Sequence, residues 1–141
     1  MRRAALAALM LAAGAARADE CEAFAAQLVA QGATIDLKTR DGFDATLRGE
    51  KVELLCGDLA SVTLETPSRL PALDFFTTAA RAGTAVIAQD WPTLRDTAVE
   101  CQKAALRDRT GYTRLDFDRG AMFCEVSKAS LRITIQPLRR D

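Results

Sequence analysis

The sequence predicts an α+β fold, with helices packed on one face of antiparallel meander sheet(s). Three observations point there. Apolar residues recur at helical spacing in three stretches and alternate with polar residues in the stretches before and after them. Gly, Asp-Gly and Pro punctuation divides the alternating stretches into short strands, as a meander requires. Four cysteines, Cys21, Cys56, Cys101 and Cys124, fall on apolar positions, two on helix-like segments and two on strand-like ones.

The chain opens on a basic Met1-Arg2-Arg3, an apolar run from Ala4 to Ala13, and Ala16-Arg17-Ala18, a small-x-small cleavage pattern. This reads as a secretory signal peptide over 1–18, cleaved near Ala18/Asp19. The run is too short for a membrane span. Asp19-Glu20 before Cys21 do not fit a lipidation site. The expectation is a single soluble domain over 19–141, periplasmic or secreted, with no membrane anchor.

Cys21, Phe24, Ala25 and Leu28 share one stripe of a helix over Glu22–Gln31, with Asp19 placed to cap it and Gly32 to stop it. Alternation follows. Ile35 and Leu37 are expected on one face, with Asp36 and Lys38 opposite. Phe43, Ala45 and Leu47 continue the apolar face after the Asp41-Gly42 turn. Val52, Leu54 and Cys56 continue it after Gly49-Glu50, and Val62 and Leu64 after Gly57-Asp58.

Pro67 to Pro71 breaks the pattern. Ala72 to Ala82 reads as a helix apolar on two sides, which is expected to be buried on both. A longer helix starts near Trp91-Pro92, capped by Asp90 or Thr93, with Leu94, Ala98, Cys101 and Ala105 on one face. Strands return with Leu115 and Phe117, then Met122, Cys124 and Val126, then Leu131, Ile133 and Ile135, and Pro137 ends the ladder.

The two ends share an order: cysteine, helix, Gly, strand, cysteine on an inner strand face, strand, Pro. The match is consistent with duplicated units, 19–67 and 91–137, linked by helix 72–82, the first carrying an extra strand around Phe43 to Leu47. It is equally consistent with chance punctuation by Gly and Pro. A helix packed on its own sheet would bring its cysteine to the strand cysteine of the same unit. The expected disulfides are therefore Cys21–Cys56 and Cys101–Cys124.

The helix-then-meander order resembles cystatin-like folds, and paired helix-and-sheet units resemble some secretion-chaperone-like folds. These are likenesses of architecture, and a fold carries no activity with it.

The chain has 19 basic and 19 acidic residues and no histidine. Without Arg2, Arg3 and Arg17 the net charge is −3. That argues against nucleic-acid binding, which needs a basic surface. The charge is uneven, with net −6 over Asp19–Ala80 and net +3 over Arg81–Asp141. One reading is head-to-tail self-association or a polarised partner surface; the other is an ordinary solvated surface.

The lack of histidine removes Ser-His and Cys-His mechanisms and the usual zinc ligand sets. No CxxC pair, P-loop or dinucleotide fingerprint occurs. Neither catalytic residues, metal ligands nor cofactors are expected. Ser127-Lys128-Ala129-Ser130 reads as a turn between strands. Asp116 and Asp118, two apart on one strand, read as a solvated face. Phe75, Phe76 and Trp91 cluster around the central break as a candidate partner surface, or as core between the halves. The expectation is an exported, non-enzymatic binding or accessory protein with a protein partner in the envelope. The alternatives are a small histidine-free hydrolase using carboxylates and a structural subunit of an envelope assembly.

Overall fold

A computed structural model describes residues 20–138. The signal-peptide reading over 1–18 and the Asp19 cap lie outside these residues. Ten elements follow in order: helix α1 (20–30), strands β1 (Thr34–Lys38), β2 (Gly42–Leu47), β3 (Glu50–Cys56) and β4 (Ala60–Thr66), helices α2 (Leu73–Gly83) and α3 (Trp91–Arg107), and strands β5 (Tyr112–Phe117), β6 (Gly120–Val126) and β7 (Leu131–Pro137).

The seven strands form one antiparallel sheet in the order β1-β2-β3-β4-β7-β6-β5. Two meanders therefore meet where β4 pairs with β7. Counted outward from that contact, β3 answers β6 and β2 answers β5. The strand without a counterpart is thus the edge strand β1, not the Phe43–Leu47 strand.

Local chemistry explains the elements. α1 ends at Gly32, whose φ of +102° no L side chain adopts easily. The Gly32 and Ala33 N–H groups donate back to the carbonyls of Val29 and Leu28, closing the helix end. Arg48 and Gly49, at φ 51° and 83°, make the two-residue turn joining β2 to β3, with both φ values positive as the right-handed strand twist prefers. Asp90 caps α3, its carboxylate accepting from the Thr93 N–H at 3.1 Å and the Thr93 hydroxyl at 2.7 Å. Of the two cap candidates, Asp90 does this work, and Thr93 lies inside the first turn.

All three helices lie on one face. Leu28 of α1, Leu94 and Ala98 of α3, and Phe75, Phe76, Ala79 and Ala80 of α2 pack with Leu47, Leu54, Val62, Leu64, Met122, Ile133 and Ile135 from the sheet in a single apolar core. α2 lies over β3, β4 and β7 and beside α3, which covers β5 and β6. Burial on both flanks of α2 follows from this central position. Cys21 of α1 is joined to Cys56 at the end of β3, and Cys101 of α3 to Cys124 of β6, with Cα–Cα separations of 5.5 and 5.8 Å. Each disulfide fastens a helix to the strands beneath it.

One alternating segment departs from simple alternation. The β1–β2 register shifts between Ile35 and Leu37, a bulge at Asp36. Beyond it Leu37 lies opposite Asp44 and Lys38 opposite Phe43. Leu37 is 59% exposed on the face away from the helices. The expectation that Leu37 shares the apolar face with Ile35 is therefore corrected. An extra residue in a strand reverses the facing of everything after it, and edge strands are where such insertions concentrate.

Candidate functional site

With three helices sealing one face, the other face of the sheet carries no covering layer of helix or strand among the described residues. Over β1–β4 and β7 it forms a trough of about 950 Å³ whose lining includes Leu37, Asp44, Glu53, Thr63, Arg132 and Thr134. The strand registers align its side chains in rows. In the middle row Leu37 faces Asp44, Asp44 faces Glu53, and Glu53 faces Thr63. Thr63 then faces Thr134 across the meander junction, their hydroxyls hydrogen-bonded at 2.9 Å. Thr134 faces Phe123, and Phe123 faces Arg114. The row thus runs from two carboxylates at one end, through two hydroxyls, to an aromatic ring and a guanidinium at the other.

A parallel row holds Glu65, Arg132, Glu125 and Tyr112 in that order. Continuing the β3–β4 register brings Lys51 to the near end of this row, beside Glu65. Arg132 is paired with Glu65 at 3.3 Å and with Glu125 at 3.8 Å. Arg114 pairs with Asp116 at 2.7 Å and lies 5.3 Å from the Phe123 ring centre, which in turn packs on Tyr112. Asp44, Glu53 and Lys51 form no ion pair among the described residues. Asp44 and Glu53 are directly opposed like charges, an arrangement that costs stability in a sheet.

Phe75, Phe76, Trp91 and the four cysteines, singled out from the sequence, fall elsewhere. Phe75 and Phe76 are 4% and 5% exposed, ring edge against ring face in the core. They are thus corrected from candidate contact residues to packing residues, because α2 is buried on both flanks. Trp91 alone of the three reaches the surface, half-buried at the start of α3. The Arg81 guanidinium lies 4.6 Å and the Arg95 guanidinium 5.5 Å from its ring, and the Arg81 Nε is buried with no hydrogen-bond partner. The two cations cover the indole rather than leaving it open. Cys101 and Cys124 are fully buried, and all four cysteines are bridged, so no thiol is available.

Asp116 is exposed on β5, whereas Asp118 lies in the turn after it, since the strand ends at Phe117. The two do not share a strand face. The 127–130 segment is the β6–β7 turn, with the Ser127 and Ser130 hydroxyls 2.6 Å apart. Two carboxyls are held below the ordinary range. The Thr93 hydroxyl and then its N–H do this for Asp90, and the Thr110 hydroxyl and then its N–H for Asp108. Both are local caps. No described Asp or Glu is buried, and no group of three or more Cys, Asp or Glu side chains among the described residues is placed to hold a metal ion. No described helix is long and apolar enough to cross a membrane.

No family model, curated protein or solved structure matches this chain.

The open-face residues were visible in the sequence as the polar half of each alternation. Their alignment into rows was not, because it needs the β4–β7 pairing between segments about seventy residues apart.

Proposed function

We propose that this is an exported, non-enzymatic binding protein that engages a protein partner on the uncovered face of its sheet. The observation that carries the reading is the contrast between the two faces. One is closed by three helices and two disulfides, and the other carries a trough of about 950 Å³ lined mainly by charged and hydroxyl side chains. Such a surface suits a polar protein contact, in which side-chain pairing sets register and specificity. The disulfides support an oxidising compartment, where such bonds persist. The carboxylate-hydrolase alternative would need a carboxylate desolvated in a cleft, and every Asp and Glu among the described residues is at least partly exposed.

The test is affinity capture from the native envelope fraction with the wild type, Thr134→Arg and Trp91→Ala. Thr134 is central on the open face and half-buried, so an arginine there projects into any bound partner. The expected result is capture lost with Thr134→Arg and kept with Trp91→Ala, both variants being folded by circular dichroism. Capture that survives Thr134→Arg and fails with Trp91→Ala would move the surface to the α2–α3 side.

A further inference from the structure

We infer that the occupant of the open face is a second copy of this chain, held face to face about a twofold axis that runs along the strands between β4 and β7. The inference rests on the reading of this face as the binding surface, and it names the partner.

A 180° rotation about that axis turns one face onto the other, keeps each row on itself and reverses its order. Thr63 then meets the partner copy's Thr134, and Asp44 meets its Arg114, since these stand equally far from the β4–β7 junction in the middle row. Glu53 meets Phe123, the ring on which the Arg114 guanidinium lies. In the second row Glu65 meets Arg132 and Lys51 meets Glu125. Every charge in these two rows therefore faces an opposite charge or the ring that carries one. By twofold symmetry each contact occurs twice.

The same operation accounts for a feature that a monomer leaves unexplained. Among the described residues the opposed Asp44 and Glu53 carboxylates have no cation paired with them, and the dimer brings Arg114 to them. The size is adequate for a reversible contact. Seven strands about 4.8 Å apart and three rows of outward residues span roughly 600 Å² per copy. The total of about 1,200 Å² is at the low end of specific interfaces, where weak and transient contacts fall.

Sedimentation velocity over a concentration series of the purified protein tests this. The wild type is expected to show a monomer–dimer equilibrium that weakens with added salt. Lys51→Glu alone and Glu125→Lys alone are each expected to weaken it about tenfold, two reversed contacts per dimer at under 1 kcal/mol each. An equimolar mixture of the two variants restores both contacts between unlike copies, so a heterodimer of near wild-type affinity is expected. Lost contacts within a single copy cannot be repaired by mixing. A wild type that stays monomeric at millimolar concentration overturns the inference, as does a dimer indifferent to the reversals or a mixture that fails to associate. Capture lost with Thr134→Arg in a protein that never dimerises would sink the dimer and keep the wider reading. Charge-dependent dimerisation with capture unaffected by Thr134→Arg would do the reverse.

Discussion

Replacing Cys101 and Cys124 together by alanine cuts the staple between α3 and β6 and leaves Cys21–Cys56 in place; the converse double replacement frees α1 from β3. The bridges close segments of 23 and 35 residues. In the chain-entropy model these stabilise by about 3.4 and 3.8 kcal/mol at 25 °C. Packing adds unequally. Cys101 and Cys124 are 0% exposed, so each alanine leaves a void the size of a sulfur atom and costs about 1 kcal/mol more. Cys21 and Cys56 are partly exposed, so water fills much of what is removed. The shorter loop is therefore expected to be the costlier loss, about 5 kcal/mol against about 4. The two loops do not overlap in sequence, so their entropies add. The fourfold variant, near 9 kcal/mol down, falls within the entire stability of an ordinary domain, about 5–15 kcal/mol, and is expected to be largely unfolded. Urea unfolding followed by circular dichroism measures all three. A greater loss for the Cys21/Cys56 variant, or a fourfold variant no less stable than either double variant, would refute this account of the staples.

Three further outcomes follow from the structure. Leu37→Asn should change stability by no more than about 0.5 kcal/mol, because the bulge holds Leu37 in solvent, whereas Leu47→Asn on the inner face should prevent folding; equal damage in thermal melts would contradict the bulge. Phe76→Ala should cost about 3–5 kcal/mol and Trp91→Ala clearly less, since the indole loses only partial burial and two surface cation–π contacts. Asp90→Ala should lower the melting temperature at neutral pH. The wild-type carboxyl sits below its ordinary value of 3.8, so its stabilisation is complete above that value and is lost as the pH falls through the lower folded value. The melting difference between the two proteins should therefore hold from pH 7 to about 5 and shrink towards pH 2.

The alternation of Phe43, Ala45 and Leu47, of Val52 and Leu54, and of Leu131, Ile133 and Ile135 could be read directly, because a strand's two faces differ within a few residues. The two-sided helix around Phe75 and Phe76 was equally plain, and its burial takes two of the three proposed contact residues out of reach. Leu37 misled because a bulge has no signal in apolar periodicity. It arises where an edge strand accommodates one residue more than its neighbour. The Asp44–Glu53 opposition could have been found from the Arg48-Gly49 turn, since a two-residue turn fixes the register on either side of it.

By itself the sequence determined the α+β class, the order of helices and strands, and the apolar positions on which the four cysteines sit, since periodicity, caps and turns act over a few residues. Tertiary structure alone decided that the two meanders join as one sheet through β4 and β7. It also decided that Asp44, Glu53, Thr63, Thr134, Phe123 and Arg114 stand in one row. Those relations join residues far apart in the chain, and only the packing of α2 over the junction, with the hydrogen-bonded ladder below it, brings them together.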